Sequence, residues 1–326
     1  MSGIFEFSCT VVVTCFNSAN TLRRTLESIV NQEPVSATEV IIVDDASTDE
    51  SVKIASEFPF RLVENDRNLG SGACKALGSS LSKTPFVAFL DSDDVWDPNF
   101  LNTQRELWEQ NRDSGAIGLS LRVENGRRSR AFETRRLLND RIGGTITTDQ
   151  LWKRNPFTSS ALVYSHEKLE AAGGYSRFSP VDDFDTLVRL HLRNHKLLLF
   201  PVYSGVYGIS DNQVTAQLSH QLMGQIRTYD LLSTCFSPDE REFKLNQKKL
   251  SLWINSIAKC ANYSLGVEHI PNSEDLGIGG RGTKLFLTAL KFPGVWKVVS
   301  ILWRAWGRIK NMVVKTWAFL LPRVSF

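Results

Sequence analysis

Residues 86–94 read FVAFLDSDD, five apolar residues closed by an aspartate, a serine and two further aspartates. A run this short and this continuous suits a strand buried on both faces, and the acids then fall where the strand leaves its sheet. Toward the amino terminus the same kind of segment recurs at residues 9–14 (CTVVVT), 40–43 (VIIV) and 60–63 (FRLV). Between these runs lie helical patterns. Residues 21–31 place Leu22, Leu26, Ile29 and Val30 at helical spacing, and 49–58 and 73–81 read the same way. Strand and helix thus alternate, which predicts an α/β fold with a doubly wound sheet whose first four strands run parallel. No internal repeat is present.

Open parallel sheets bind ligands outside the carboxyl ends of their strands. At those ends stand Thr14, Cys15, Phe16 and Asn17 after the first strand, Asp44 and Asp45 after the second, and Asp91, Ser92, Asp93 and Asp94 after the fourth. Carboxylates gathered at short range raise one another's pKa unless a cation neutralises them. A hard divalent ion, Mg²⁺ or Mn²⁺, held by one or two carboxylates and carrying substrate phosphates meets that need. The plainer alternative, strand-end turns and helix caps, applies most directly to Asp44 and Asp45.

Composition bounds the function classes. The 326 residues are 42% hydrophobic and 22% charged, with 21 Gly and 11 Pro, which excludes wholesale disorder and collagen. Cys9, Cys15, Cys74, Cys235 and Cys260 are odd in number and never form a CxxC pair, so a reducing compartment is expected. The opening MSGIFEFSCTVVV lacks a basic region and meets an acid at Glu6, so no secretory signal is expected. No uncharged apolar run reaches the roughly 18 residues of a membrane span.

Four blocks of the sequence resemble, in order, the inverting glycosyltransferases of family 2: VVVTCFNSANTLRRTLESIVNQ, EVIIVDDASTDES, NLGSGACKALGSSLSKTPFVAFLDSDDVWDP and GGYSRFSPVDDFDTLVRLHLRN. The resemblance runs over about residues 8–215 and implies the GT-A nucleotide-sugar fold, a Rossmann-like mixed sheet with helices on both faces. It implies a catalytic domain over 1–215, with a nucleotide-sugar half at 8–100 and an acceptor half at 101–215. By the same resemblance, Thr14 and Phe16 contact and stack on a uracil ring, with simple packing as the alternative for both. Asp45, with Asp44 beside it, accepts a base N–H. Lys75 stands where the family usually has arginine near the nucleotide, and Ala76 where it usually has asparagine. Asp91 and Asp93 match the outer residues of a DxD motif. The first is expected at the ribose with Ser92 alongside, and the second, extended by Asp94, at the metal. Asp182 and Asp183 match an acidic pair on the acceptor side whose second member is the general base. Gly208 and Ser210 stand where the family often carries arginine and then histidine, which removes a diphosphate or metal contact.

Other signals carry less. GSGACK at 70–75 lacks both the dinucleotide and the P-loop pattern and reads as a loop entering a helix. His191 and His195 are four apart without HExxH, so a solvated helix face is expected over a helix running through His195. Residues 122–141 hold seven arginines around an Asn125-Gly126 turn, a solvated hairpin or a contact for a phosphate-bearing acceptor.

The carboxyl-terminal third is different. Residues 218–232 and 237–262 predict helices, the second opened by Ser237, Pro238 and Glu240, and together they give a helical extension over 216–275. Residues 276–326 hold nine basic residues, no acid and four of the eight tryptophans. Projected as a helix, Val299, Leu302, Trp306, Ile309, Val313, Trp317 and Leu320 share one side and Lys297, Arg304, Arg308 and Lys315 the other. That pattern suits a segment lying in a membrane interface, the alternative being a helix docked on its own domain.

Together these readings predict a metal-dependent inverting transferase peripheral to the cytoplasmic membrane face. It would move sugar from a nucleotide-sugar, a UDP-sugar being expected, to a lipid-linked or saccharide acceptor, using Mn²⁺ or Mg²⁺ and no nucleic acid. The alternative is a non-catalytic nucleotide-sugar-binding or scaffold protein on the same fold.

Overall fold

The computed structural model describes residues 5–123, 130–131, 144–177, 181–208 and 218–262. It divides into two units between Asp211 and Asn212.

The apolar runs become strands because backbone buried on both faces must pair its polar groups within a sheet. All seven residues of β1 (Cys9–Cys15) are buried. β1 is flanked by β2 (Glu39–Asp44) and β4 (Phe86–Asp91), and β3 (Arg61–Glu64) lies outside β2. All three pairings are parallel, as the alternating pattern requires. Successive side chains of β1 serve opposite layers. Val11 and Val13 pack in one cluster with Leu22, Leu26 and Ile29 of α1 (Leu22–Val30). Val12 faces α3 (Ser71–Leu81), where a Cβ on Gly78 would lie 2.3 Å from its Cγ1. Glycine at 78 therefore lets helix and strand approach.

Beyond β4 the sheet becomes mixed. β9 (Leu162–Ser165) pairs antiparallel with β4 and with β6 (Ser114–Val123). β10 (Lys196–Tyr207) then runs parallel to β6, and β5 (Val95–Trp96) closes the edge antiparallel to β10. Two reversals restore the original direction, so β10 ends at the same edge as β1, β2 and β4. β7 (Arg130–Ala131) pairs antiparallel with β6, the base of the expected hairpin, while most of its arginines lie outside the described residues. β8 (Gly144–Thr145) pairs with β10.

The remaining helices of this unit are α2 (Ser51–Ser56), α4 (Phe100–Gln110), α5 (Thr148–Lys153), α6 (His166–Ala171) and α7 (Asp182–Leu192). α4 buries Phe100, Leu101 and Trp108, and Trp108 lies 4.7 Å from the Phe86 ring. α7 corrects the expected helix through His195. It stops at Leu192, and Asn194 takes a left-handed φ of 61° before β10. Nor is His191 solvated, because it is half-buried and its Nε2 lies 2.8 Å from Thr148 Oγ1.

In the second unit, α8 (Leu218–Ser233) and α9 (Pro238–Asn262) pack on each other. Lys248 Nζ sits 4.1 Å from the Tyr229 ring centre, a cation–π contact between them. No helix among the described residues is long and apolar enough to cross a membrane. The basic, tryptophan-rich stretch at 276–326 lies outside the described residues.

Candidate functional site

Register aligns the strand ends. Thr14 stands beside Asp91, and Cys15 beside Asp44. At this edge Thr14 is buried, but Phe16 is 47% exposed, so its ring is a free apolar face and not a packed core group. The chain turns at once, with Asn17 at φ 49° and its Oδ1 accepting the Thr48 amide at 2.8 Å.

Asp44 and Asp45 sit below that surface. Asp44 Oδ2 accepts the Ser47 amide at 2.8 Å. The two Asp45 oxygens accept the Leu69 and Gly70 amides, both at 2.8 Å, and Asn65 Nδ2 reaches Oδ1 at 3.0 Å. Both acids are at most 3% exposed. Their carboxylates hold the 45–47 and 65–70 turns, which is the strand-end use given above as the alternative to base binding for Asp44 and Asp45.

The DSDD turn divides its residues. Ser92 Oγ lies 2.7 Å from Ser18 Oγ. From α1, the Thr25 hydroxyl lies within hydrogen-bond distance of the carbonyls of Asp94 at 2.8 Å and Ser92 at 3.0 Å, which share its one hydrogen, and Arg24 donates to the carbonyl of Asp93. Asp93 itself is partly exposed, whereas Asp94 is fully buried and its Oδ1 accepts the Gly208 amide at 2.7 Å. Burial first, then Asp91 and Asp93, push Asp94 up to about 8. The expected pairing of Asp93 and Asp94 at a metal is therefore altered, because Asp94 points inward as a clip on the end of β10. Gly208, read from sequence only as a missing side chain, is what this clip requires. A Cβ there would lie 2.2 Å from the Asp93 carbonyl oxygen.

Gly208→Ala should consequently displace the turn. Overpacking of this kind typically costs ~1–3 kcal/mol. A lower thermal midpoint together with weaker nucleotide binding is the expected result, read by calorimetry on one sample.

Across the edge, α3 and α7 meet by their amino ends. A Cβ on Gly72 would sit 2.9 Å from the Ser176 carbonyl oxygen and 3.0 Å from Asp182 Cβ. This approach puts Lys75, Asp91 and Asp182 together. Lys75 Nζ is 2.8 Å from Asp91 Oδ1, 3.0 Å from Ser159 Oγ and 3.7 Å from Asp182 Oδ2. Burial alone would pull this lysine down, but Asp91 and Asp182 outweigh it and hold it above its ordinary value. Asp182 is buried and raised by that burial, with Lys75 opposing.

Asp183, next along α7, is only partly buried. Its Oδ1 accepts the Phe184 amide at 2.7 Å and its Oδ2 accepts Asn155 Nδ2 at 2.8 Å. Asn155 is itself oriented, its Oδ1 taking the Phe157 amide at 3.0 Å. Burial and the neighbouring Asp182 push Asp183 up to about 7, against the pull of Lys75 and the Phe184 amide. A carboxylate with that proton affinity at a site edge suits general-base work near neutral pH.

Sequence reading missed the segment at 155–161, NPFTSSA. Asn155 orients Asp183, Ser159 holds Lys75, and Ser160 Oγ accepts the Asp91 amide at 3.0 Å while its carbonyl takes Trp96 Nε1 at 2.6 Å. The only prior signal was a run of small polar residues between an Asn-Pro and a strand, which by itself reads as loop.

No group of three or more His, Cys, Asp or Glu poised for a metal occurs among the described residues. Within the turn Asp93 is partly exposed, whereas Asp94 is buried and Asp91 lies against Lys75. That fits an ion completed by substrate phosphates, not one caged by protein alone.

Residues 10–171 match the sequence profile of glycosyl transferase family 2. Among curated relatives, the succinoglycan biosynthesis protein ExoO of Rhizobium meliloti is 36% identical over 119 residues, 36% of this chain. The chain spans only about a third of ExoO, 32% of its length. Among solved structures, TarS residues 1–349 of S. aureus, in complex with UDP-GlcNAc, superposes with a TM-score of 0.61 over 92% of both chains at 15% identity. The mannosyltransferase PcManGT of Pyrobaculum calidifontis, in complex with GDP-Man and Mn²⁺, gives 0.56 over 92% of this chain and 87% of its own at 17% identity. At these identities the two structures show the fold, which is GT-A.

Proposed function

The chain belongs to glycosyl transferase family 2 through residues 10–171, and on that premise we propose that it transfers a sugar from a nucleotide-sugar, a UDP-sugar by preference, with inversion. The observation that carries this reading is the Lys75 contact to both Asp91 and Asp182, which sets Asp183 beside the donor-side turn. Asp183 takes the proton of an acceptor hydroxyl as that oxygen attacks the anomeric carbon. The bond to the nucleoside diphosphate breaks on the opposite side, so one displacement inverts the centre. Phe16 offers the exposed ring against which a base can lie. Mn²⁺ or Mg²⁺ at Asp93 would neutralise charge on the departing diphosphate.

Turnover of a panel of nucleotide-sugars, with and without Mn²⁺, tests the reading. Hydrolysis or transfer from one donor supports it. Tight donor binding with no turnover on any acceptor would instead favour a binding or scaffold protein.

The acceptor is proposed to be lipid-linked or a saccharide, in cell-surface polysaccharide or glycoconjugate synthesis, consistent with the named role of ExoO. Residues 276–326 are proposed to hold the protein on the cytoplasmic membrane face, since nine basic residues and four tryptophans suit an anionic interface. Deleting residues 295–326 should release the protein from anionic vesicles while leaving a folded catalytic domain. Salt should weaken the intact protein's binding without abolishing it, because tryptophan insertion is not screened. Equal co-sedimentation of intact and truncated forms would rule the tail out as the anchor.

A further inference from the structure

We propose that Lys75 is a positioning residue, a buried cation that fixes the acceptor-side acids against the donor-side turn, and not a contact to the nucleotide. An ammonium has three donors, and here all three point inward. Two lie within hydrogen-bond distance of Asp91 Oδ1 and Ser159 Oγ, and the side chain is 4% exposed, so none is presented at the strand-end surface where a nucleotide lies. The third faces Asp182 Oδ2 at 3.7 Å, a buried oxygen without a close hydrogen-bond partner among the described residues. A buried carboxylate oxygen left in that state is costly unless a cation stands near, and among the described residues Lys75 is the cation that pairs with it.

The backbone supports the same assignment. Lys75 is one helical turn beyond Gly72, where a Cβ would lie 3.0 Å from Asp182 Cβ at the start of α7. The contact therefore joins a donor-half helix to the first residue of α7, whose next residue is Asp183. From the other elements, Asn155 donates to Asp183, and Asp91 on β4, Tyr164 on β9, Tyr175 in the turn before α7 and Tyr207 on β10 are near enough to interact with it electrostatically. Lys75 is the cation in that set. Removing it takes away the cation that, among the described residues, pairs with Asp91 and Asp182, and loosens the register of the two helices.

This inference rests on the transferase reading only for the role of Asp183, and its test is separable from it. Side-chain carboxylate ¹³C titration of the full-length protein, with ¹³C-labelled aspartate, reads the Asp182–Asp183 pair whether or not sugar is transferred. Lys75→Met should raise the midpoint of the pair by about one unit or more, the size expected on losing an opposite charge at this range. Lys75→Arg should stay near the native midpoint. UDP-sugar affinity by calorimetry should change less than ~3-fold in Lys75→Met, while the acid limb of kcat/KM moves up with the carboxylates. An unmoved titration with a tenfold or greater loss of donor affinity would overturn the proposal and return Lys75 to the nucleotide. If Lys75→Met does not fold, Lys75→Met with Asp182→Asn, which removes both charges, should recover the fold. A double variant no more stable than the single one would equally overturn it. A native protein that titrates as expected yet transfers no sugar would sink the transferase reading and leave the bridge standing.

Discussion

Asp183→Asn is expected to lower sugar transfer by ~10²–10⁴-fold, the usual worth of a general base, with donor affinity largely retained. Asparagine keeps the shape of the side chain between Asn155 and the Phe184 amide and removes the proton acceptor. The native pH profile carries the same information. A base must be deprotonated to act, and Asp183 is held up to about 7 by burial and Asp182. The native kcat/KM should therefore rise with pH through about 7 and level off above it. The limb should be absent from the residual activity of Asp183→Asn. Were Asp183→Asn near native and Asp182→Asn inactive, the base would be Asp182, and the buried position of that residue would need another explanation.

Asp93→Ala should lower both nucleotide-diphosphate affinity in the presence of Mn²⁺ and turnover. A cation at a transferring group contributes several kcal/mol of charge stabilisation, so a rate loss on the order of 10³-fold is expected. Asp93 is the carboxylate chosen for the test because it is partly exposed, whereas Asp94 is buried with its Oδ1 on the Gly208 amide. Chelation of the native protein should produce the same loss, and Mn²⁺ or Mg²⁺ should restore it in native protein but not in Asp93→Ala. Full turnover in excess chelator would remove the metal from the proposed mechanism.

Sequence alone determined the part of the fold that is written in local chemistry. Continuous apolar runs at 9–14, 40–43 and 86–90 can satisfy their backbone only inside a sheet, and the helical periods between them force parallel pairing, so β1, β2, β3 and β4 and their common carboxyl edge were legible. The acids at that edge were legible too, since they follow directly on the strands. Tertiary structure decided which of those acids face outward. Asp44, Asp45 and Asp94 are as acidic in sequence as Asp93, yet each finds a backbone amide 25 to 114 residues away or in its own turn, and an acid that finds such donors is drawn inward. It likewise decided the roles of Gly72 and Gly208, whose value is the absence of a Cβ where another backbone passes, and of Asn155, Ser159 and Ser160, whose partners lie on other elements. The physical reason is the same throughout. Periodicity records what a residue does to its own segment, whereas a hydrogen bond or a close approach between segments depends on where the whole sheet has brought the other partner.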